Sequence, residues 1–494
     1  MLFGLAAPLA FLSLTAIAFG WEFTLFFTLG ASSIVLTLGL AARVWLKKTL
    51  PPKQEGTIAF FHPEACGGGG GERVLWVAVQ ALQKALPSVK IVVYSASDNT
   101  SQQLLEIAAD RFNISITSSI QVVQLRRGNL ISPKQYPRFT LLRQAIGSVQ
   151  LAYEGLHQLR PELFIDTSGW AFTYPMCRLS GVRVACYVHY PTVSTDMLQR
   201  VRQRKSLYNN SARVADSRPA SWVKLLYYYF FAWFYSMAGA CANVVMVNSS
   251  WTARHIRQLW WKLEEPHRVF PPCLTADLQQ LPLDRKLKHL SLVSVAQFRP
   301  EKDHPMQLRA YAQARKWAQA NSQERSSEAV LASRLKLVGS CRNTGDQLAI
   351  DNLKRLAAQL GIADCVDFHV NVPFSELRNL LGNAVAGLHT MVDEHFGISV
   401  VEYMAAGVIP IAHDSAGPKE DIVQIEAGKN GYHITGYLCT TLEQYSSAII
   451  EALSLDHPSR LKIAAAARRK ALEFSDERFC SEFLESVQPI LPSL

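Results

Sequence analysis

The 494-residue chain contains no Cys-x-x-Cys pair and no Cys/His spacing of the zinc-binding kind, which excludes the usual structural zinc site. Its nine cysteines are scattered singly, an odd number that suits a reducing compartment better than a disulfide scaffold. No Asp-x-Asp pair occurs, so the sequence offers no ready carboxylate clamp for a metal-bound diphosphate. The one glycine-rich run is not followed by Lys-Ser/Thr, which excludes a P-loop. Glu72 stands where a strict GxGxxG would have its third glycine, which counts against a dinucleotide oxidoreductase. No nucleic-acid motif appears. Acid is the scarcer sign, and the net charge of +10 favours anionic partners such as a membrane surface, a nucleotide or a phosphorylated substrate.

Charge is also missing from the start of the chain. Between Leu2 and Ala42 the only charged residue is Glu22, and it separates two apolar runs, Leu2–Gly20 and Phe23–Ala42. Each is close to the length of one membrane span. No basic stretch precedes the first run, which disfavours a cleaved signal peptide. Arg43, Lys47, Lys48 and Lys53 follow the second run, so the positive-inside rule puts the rest of the chain in the cytosol. Residues 1–48 are therefore expected to form a membrane anchor of one or two apolar helices.

The remainder alternates short apolar runs with helical patterns, an α/β rhythm. Strands are expected at Thr57–Phe61, Lys90–Tyr94, Gln121–Leu125, Leu163–Asp166, Arg183–Val188 and Val244–Asn248. After a hinge at Phe270-Pro-Pro-Cys273 the pattern restarts, with strands at Leu290–Val295, Leu335–Val338, Val366–Val370, Val385–Leu388 and Val408–Ala412. Two doubly wound, Rossmann-like domains facing a cleft follow, at 55–272 and 273–470, with 471–494 a C-terminal helix packing back on the first. Leu225–Ala242 has no charge and is rich in aromatics, including Trp233. It suits a membrane interface or a buried helix of the first domain. Upstream, Arg202, Arg204 and Lys205 lie in a basic stretch that suits anionic headgroups or a diphosphate, or simply a solvated loop.

Four groups of residues could carry chemistry. Glu394 and Glu402 lie eight apart across a loop-to-helix junction, with Phe396, Gly397 and Ile398 offering free backbone N–H groups at the helix start. Glu402 stands among Val400, Val401, Tyr403 and Met404, a costly place for an idle charge. Gly67–Gly71, between a strand and a helix, lets backbone approach a ligand closely. Arg299 and Lys302 follow the first strand of the second domain and would suit a diphosphate. His189 ends a strand of the first domain; a core histidine is the bland alternative.

Together these residues resemble the retaining family 4 glycosyltransferases of the GT-B fold. The resemblance rests on the Glu394-x7-Glu402 motif, the Arg299/Lys302 pair and the glycine-rich loop. It tightens, through Phe61-His-Pro, His189-Tyr-Pro-Thr192, Val247-Asn-Ser-Ser-Trp-Thr252 and Gly417-Pro-Lys419, toward the α-1,2-mannosyltransferases that extend dolichol-linked oligosaccharide. It implies GDP-mannose as donor and a trimannosyl-chitobiosyl diphosphodolichol as acceptor, extended twice in succession, on the cytosolic face of the endoplasmic reticulum membrane. Other early dolichol-pathway mannosyltransferases are implied companions. No metal or other cofactor is implied. Carried over by position, Arg299 and Lys302 bind the diphosphate, Glu394 the mannose hydroxyls, Phe396–Ile398 sugar and phosphate through amides, and Glu402 the ribose. His189 and the loop, with Gly69, Gly70 and Gly71, meet the donor from the first domain, and the base lies near Val370–Val372. A UDP-sugar transferase and a non-catalytic scaffold for lipid-linked sugar remain as alternatives.

Overall fold

Strands buried on both faces need apolar side chains at every position, and short unalternating runs supply them. In the computed structural model, which describes residues 21–116, 119–193, 218–262, 264–285, 290–428 and 431–492, these runs build two parallel sheets. Contacts divide the chain into two units. One takes Met1–Asn248, Thr252–Val269 and Cys480–Leu494; the other takes Ser249–Trp251 and Phe270–Phe479.

The first unit has β1 (Thr57–Phe61), β2 (Lys90–Ser95), β3 (Gln121–Gln124), β4 (Leu163–Asp166), β5 (Arg183–Val188), β6 (Val244–Val247) and β7 (His267–Arg268). They lie in the order β3-β2-β1-β4-β5-β6-β7, every pairing parallel. The second unit has β8 (Ser291–Val295), β9 (Arg334–Gly339), β10 (Val366–Val370), β11 (Ala386–His389), β12 (Ile409–His413), the hairpin β13 (Ile425–Gly428) and β14 (Gly431–Ile434), and β15 (Tyr437–Cys439). Its main sheet runs β10-β9-β8-β11-β12-β15, also parallel. Both sheets change direction beside their first strand, between β1 and β4 and between β8 and β11. Ligands of doubly wound sheets bind outside the carboxyl ends of the strands at such a switch point. The glycine-rich segment leaves β1, Arg299 and Lys302 leave β8, and Glu394 follows β11.

Phe61, Tyr94 and Phe164 pack ring to ring beneath β1, and Tyr174, Phe231, Tyr235 and Trp260 extend that core. The stretch Leu225–Ala242 falls largely in the helix Arg218–Gly239. Leu225, Tyr228, Phe231 and Tyr235 are buried in the core, so this is a core helix, but Leu226, Phe230, Phe234 and Met237 on another face are exposed. Trp233 sits half-buried against Phe234 and Trp261, at ring separations of 4.8 and 5.9 Å. Arg202, Arg204 and Lys205 lie outside the described residues.

Of the N-terminal runs, the first also lies outside the described residues, and the second falls in the helix Trp21–Thr49. Ile34, Leu36, Leu38 and Leu40 on that helix are exposed, Leu46 is buried in the first unit's core, and Trp45 stacks on Tyr153 at 5.3 Å. Among the described residues no helix is long and apolar enough to cross a membrane. At the other end, the helix Asp476–Val487 carries the chain back into the first unit, where Arg183 Nη1 donates to the carbonyl of Leu491 at 3.0 Å.

Candidate active site

In the first unit β1 hands over to His62, a buried residue whose Nδ1 lies 2.8 Å from Thr167 Oγ1. The following helix, Gly70–Ala85, starts two residues before the Glu72 expected from sequence, so Gly70 and Gly71 form its first turn rather than a loop. Glu72 explains the shift. Its Oε2 accepts the N–H of Gly69 at 2.8 Å, the reciprocal half of a capping box. The same carboxylate explains two of the glycines. A Cβ on Gly67 would lie 2.3 Å from Glu72 Oε1, and one on Gly69 would lie 2.9 Å from Oε2. Burial pushes the Glu72 carboxyl up, but hydrogen bonding and charge from His62 outweigh it and leave it below the ordinary value. The departure from GxGxxG is thus a carboxylate capping the helix from inside the turn.

His189, just past β5, places Nε2 3.1 Å from the carbonyl of Thr167, and its own carbonyl accepts from Asn248 Nδ2 at 3.0 Å. Its ring also faces Gly71, whose Cβ would meet Nε2 at 3.6 Å. Thr167 therefore meets both histidines. The turn that carries it is fixed by Asp166, wholly buried at the end of β4, which accepts from the N–H groups of Ser168, Gly169 and Trp170 at 2.8, 3.2 and 2.6 Å. The Tyr174 hydroxyl completes the set at 2.6 Å. Burial holds the Asp166 carboxyl above the usual range in spite of these donors.

In the second unit β8 ends at Val295 and the chain turns through Pro300–Lys302 into the helix His304–Ala320, capped by Asp303. Lys302 Nζ forms an ion pair with Glu394 Oε2; the two side chains are 22% and 14% exposed. Arg299 is more open, 40% exposed, and its link to Glu301 is loose at 3.6 Å. Burial would push the Glu394 carboxyl up, but the Lys302 ammonium and His389 win and hold it well below the ordinary carboxylate range.

Gly397 takes φ 109°, in the left-handed region that glycine adopts freely, and opens the helix Ile398–Ala405. The Phe396 side chain is buried between Phe270 and Phe474, at 5.7 and 5.3 Å, so only its backbone can serve a ligand. Gly417 N donates to the carbonyl of Glu394 at 2.9 Å, tying the Gly417-Pro-Lys419 segment to the carboxylate loop. Glu402 is half-buried on the helix. No group of three His, Cys, Asp or Glu side chains able to hold a metal occurs among the described residues.

Three contributors were not singled out from sequence. His389, the last residue of β11, contacts Glu394 Oε2 through Nε2 at 3.1 Å. Thr390 Oγ1 lies 2.8 and 3.0 Å from the carbonyls of Lys302 and Asp303, pinning the turn that carries Lys302. Tyr403 accepts the N–H of Val295 at 2.6 Å and reaches the carbonyl of Leu388 at 3.4 Å, so one hydroxyl joins the ends of β8 and β11. The only signal for these was a polar pair, His389-Thr390, closing an apolar strand. Tyr403→Phe should leave the half-buried Val295 N–H without this partner and lower unfolding stability by about 1–3 kcal/mol. Chemical denaturation of the full chain measures this, and an unchanged midpoint would contradict the bridge.

Two doubly wound parallel sheets, the second carrying a cation–carboxylate pair at its switch point, define a glycosyltransferase of the GT-B class. Residues 282–470 match the family described as Glycosyl transferases group 1, and residues 55–260 match ALG11 mannosyltransferase N-terminus. The sucrose-phosphate synthase of Thermosynechococcus elongatus shares the fold, with a TM-score of 0.60 at 16% identity over 88% of this chain and 98% of that one. The human GDP-Man:Man(3)GlcNAc(2)-PP-Dol alpha-1,2-mannosyltransferase is 44% identical to this chain over 94% of each, and the Xenopus laevis enzyme of the same name is 42% identical over 94% of this chain and 95% of its own. The chain belongs to this family of GDP-Man:Man(3)GlcNAc(2)-PP-Dol alpha-1,2-mannosyltransferases.

Proposed function

We propose that the chain transfers mannose from GDP-mannose, in α-1,2 linkage, to a trimannosyl-chitobiosyl diphosphodolichol, and does so twice in succession. The names of its relatives support the substrates. The observation that carries the chemistry is the Lys302–Glu394 pair at the β8/β11 switch point. A lysine ammonium has three donors, so Lys302 can hold Glu394 and a phosphate oxygen together. Arg299 adds a bidentate fork for the diphosphate. Glu394 holds mannose hydroxyls, the amides of Phe396–Ile398 meet sugar and phosphate, and Glu402 holds the ribose. The guanine lies near Val370–Val372. His189, Gly69, Gly70 and Gly71 are assigned to the donor as well.

An α-linked donor giving an α-glycoside means retention. Double displacement would need a carboxylate nucleophile at the anomeric carbon. Glu394 is occupied by Lys302 and His389 on one oxygen and is suited to the hydroxyl side of the sugar. The hypothesis is therefore front-face displacement: the leaving phosphate takes the acceptor proton while Arg299 and Lys302 stabilise its charge. No metal enters this scheme.

The deciding assay gives purified full-length protein labelled GDP-mannose and the trimannosyl lipid acceptor, with and without EDTA. Product sensitive to an α-1,2-specific mannosidase is expected. Transfer from UDP-sugars instead, or none at all, would overturn the reading, and abolition by EDTA alone would overturn the metal-free scheme.

Residues 1–48 are proposed as a membrane anchor, with Trp233, Arg202, Arg204 and Lys205 serving the bilayer or acceptor. The exposed apolar faces of the helices Trp21–Thr49 and Arg218–Gly239 support this. The placement is the endoplasmic reticulum membrane with the catalytic units cytosolic, beside other early mannosyltransferases of the dolichol pathway. Four Asn-x-Ser/Thr sequons begin at Asn99, Asn113, Asn209 and Asn248, and glycan found on any of them would put those units in the lumen and defeat it.

A further inference from the structure

We propose that His389 is a positioning residue: it fixes one oxygen of Glu394 so that the other is presented to the donor sugar. This rests on the reading of Glu394 as the group that holds the mannose. His389 ends β11 and is 3% exposed, and its Nε2 lies 3.1 Å from Glu394 Oε2. A carboxylate can only accept, so Nε2 carries the proton in this contact. The Lys302 ammonium falls on the same Oε2. Glu394 Oε1 makes no hydrogen bond among the described residues. One donor from the turn after β8 and one from the end of β11 therefore hold one oxygen and leave the second for a sugar hydroxyl. The backbone that carries the imidazole is itself held, because the Tyr445 hydroxyl donates to the His389 carbonyl at 3.0 Å.

The second ring nitrogen sharpens the inference. His389 Nδ1 is buried and has no hydrogen-bond partner among the described residues. A buried unpaired polar atom is unfavourable, and a leucine in this place would avoid it. Packing alone therefore does not account for an imidazole here, whereas its hold on Glu394 does. A lysine alone would not suffice, because a flexible ammonium fixes a charge but not the plane of its partner.

The test uses the purified full-length enzyme and four variants: His389→Leu, His389→Gln, Glu394→Ala and the double variant His389→Leu/Glu394→Ala. The amide N–H of glutamine can reach the place of Nε2. Expected for His389→Leu is a fall in kcat/KM for GDP-mannose of about tenfold to a hundredfold, the cost of a misplaced group, with GDP affinity changed less than about twofold. His389→Gln should recover to within about fivefold of wild type. In the Glu394→Ala background, His389→Leu should add less than about threefold, because the two residues act as one unit. Wild-type activity in His389→Leu, failure of His389→Gln to recover, or the full cost in the Glu394→Ala background would each overturn the proposal. Should His389→Leu not fold, His389→Gln against His389→Asn decides: activity must follow Gln, whose amide reaches the Nε2 position. Glu394→Ala at wild-type rate would overturn the role of Glu394, and with it this proposal. An inactive Glu394→Ala beside a fully active His389→Leu would overturn only the role of His389.

Discussion

Lys302→Ala should lower mannose transfer by about a hundredfold to a thousandfold, the usual loss when one stabiliser of developing charge is removed. The structure gives two reasons to expect the upper part of that range. In the proposed scheme Lys302 stabilises the departing diphosphate directly, and in the structure it is the first of the opposite charges that keep Glu394 ionised against its burial. Without the ammonium, a carboxylate 14% exposed would face desolvation with the two histidines His389 and His395 left to offset it. One substitution would therefore remove the proposed phosphate contact and alter the carboxylate beside it. Steady-state turnover at saturating GDP-mannose measures the effect, and near-normal turnover would remove Lys302 from the chemistry. Lys302→Arg should recover little, because a planar fork does not reproduce a point charge that serves two partners.

Glu394→Gln should be nearly as damaging, about a hundredfold, because a misoriented sugar loses the alignment on which transfer depends. The amide keeps an acceptor oxygen but sets a neutral group beside the Lys302 ammonium. No mannosylated enzyme should accumulate in this variant. If mass spectrometry of Glu394→Gln found mannose bound covalently to the protein, front-face displacement would give way to double displacement. The sign of the pH effect follows from the depressed carboxyl. Its stabilising contribution is complete above the ordinary glutamate range and is lost only as pH falls through the lower, folded-state value. An acid limb in the pH–rate profile near pH 6 would therefore belong to another group.

The chemistry lay in local sequence and its support did not. β1, β4 and β5 stood out because strands buried on both faces are largely continuous apolar runs, and their ends fall where the sequence placed them. The Glu394-x7-Glu402 spacing and the Arg299/Lys302 pair were legible because each lies within one loop. β7, the hairpin β13–β14 and β15 were missed; at two to four residues each, they are too short to show a period. The helix start at Gly70 was missed because Glu72 reads as the third-glycine position of a failed motif, and only the structure shows its carboxylate capping Gly69. Thr390 and Tyr403 gave no usable signal for a physical reason. Thr390 meets Lys302 across 88 residues of sequence and Tyr403 meets Val295 across 108, and no spacing rule reaches that far. The eighteen-residue stretch Leu225–Ala242 read as apolar throughout because its helix is buried on one face and exposes apolar side chains on another.

The central claim is a division of labour, with Glu394 holding the sugar and Lys302 the diphosphate. Calorimetric binding of GDP and of GDP-mannose to wild type, Glu394→Gln and Lys302→Ala tests it most directly. The account predicts that Glu394→Gln weakens GDP-mannose while leaving GDP unchanged, and that Lys302→Ala weakens both. If Glu394→Gln weakened GDP as much as GDP-mannose, or if Lys302→Ala left GDP binding intact, the assignment would be contradicted.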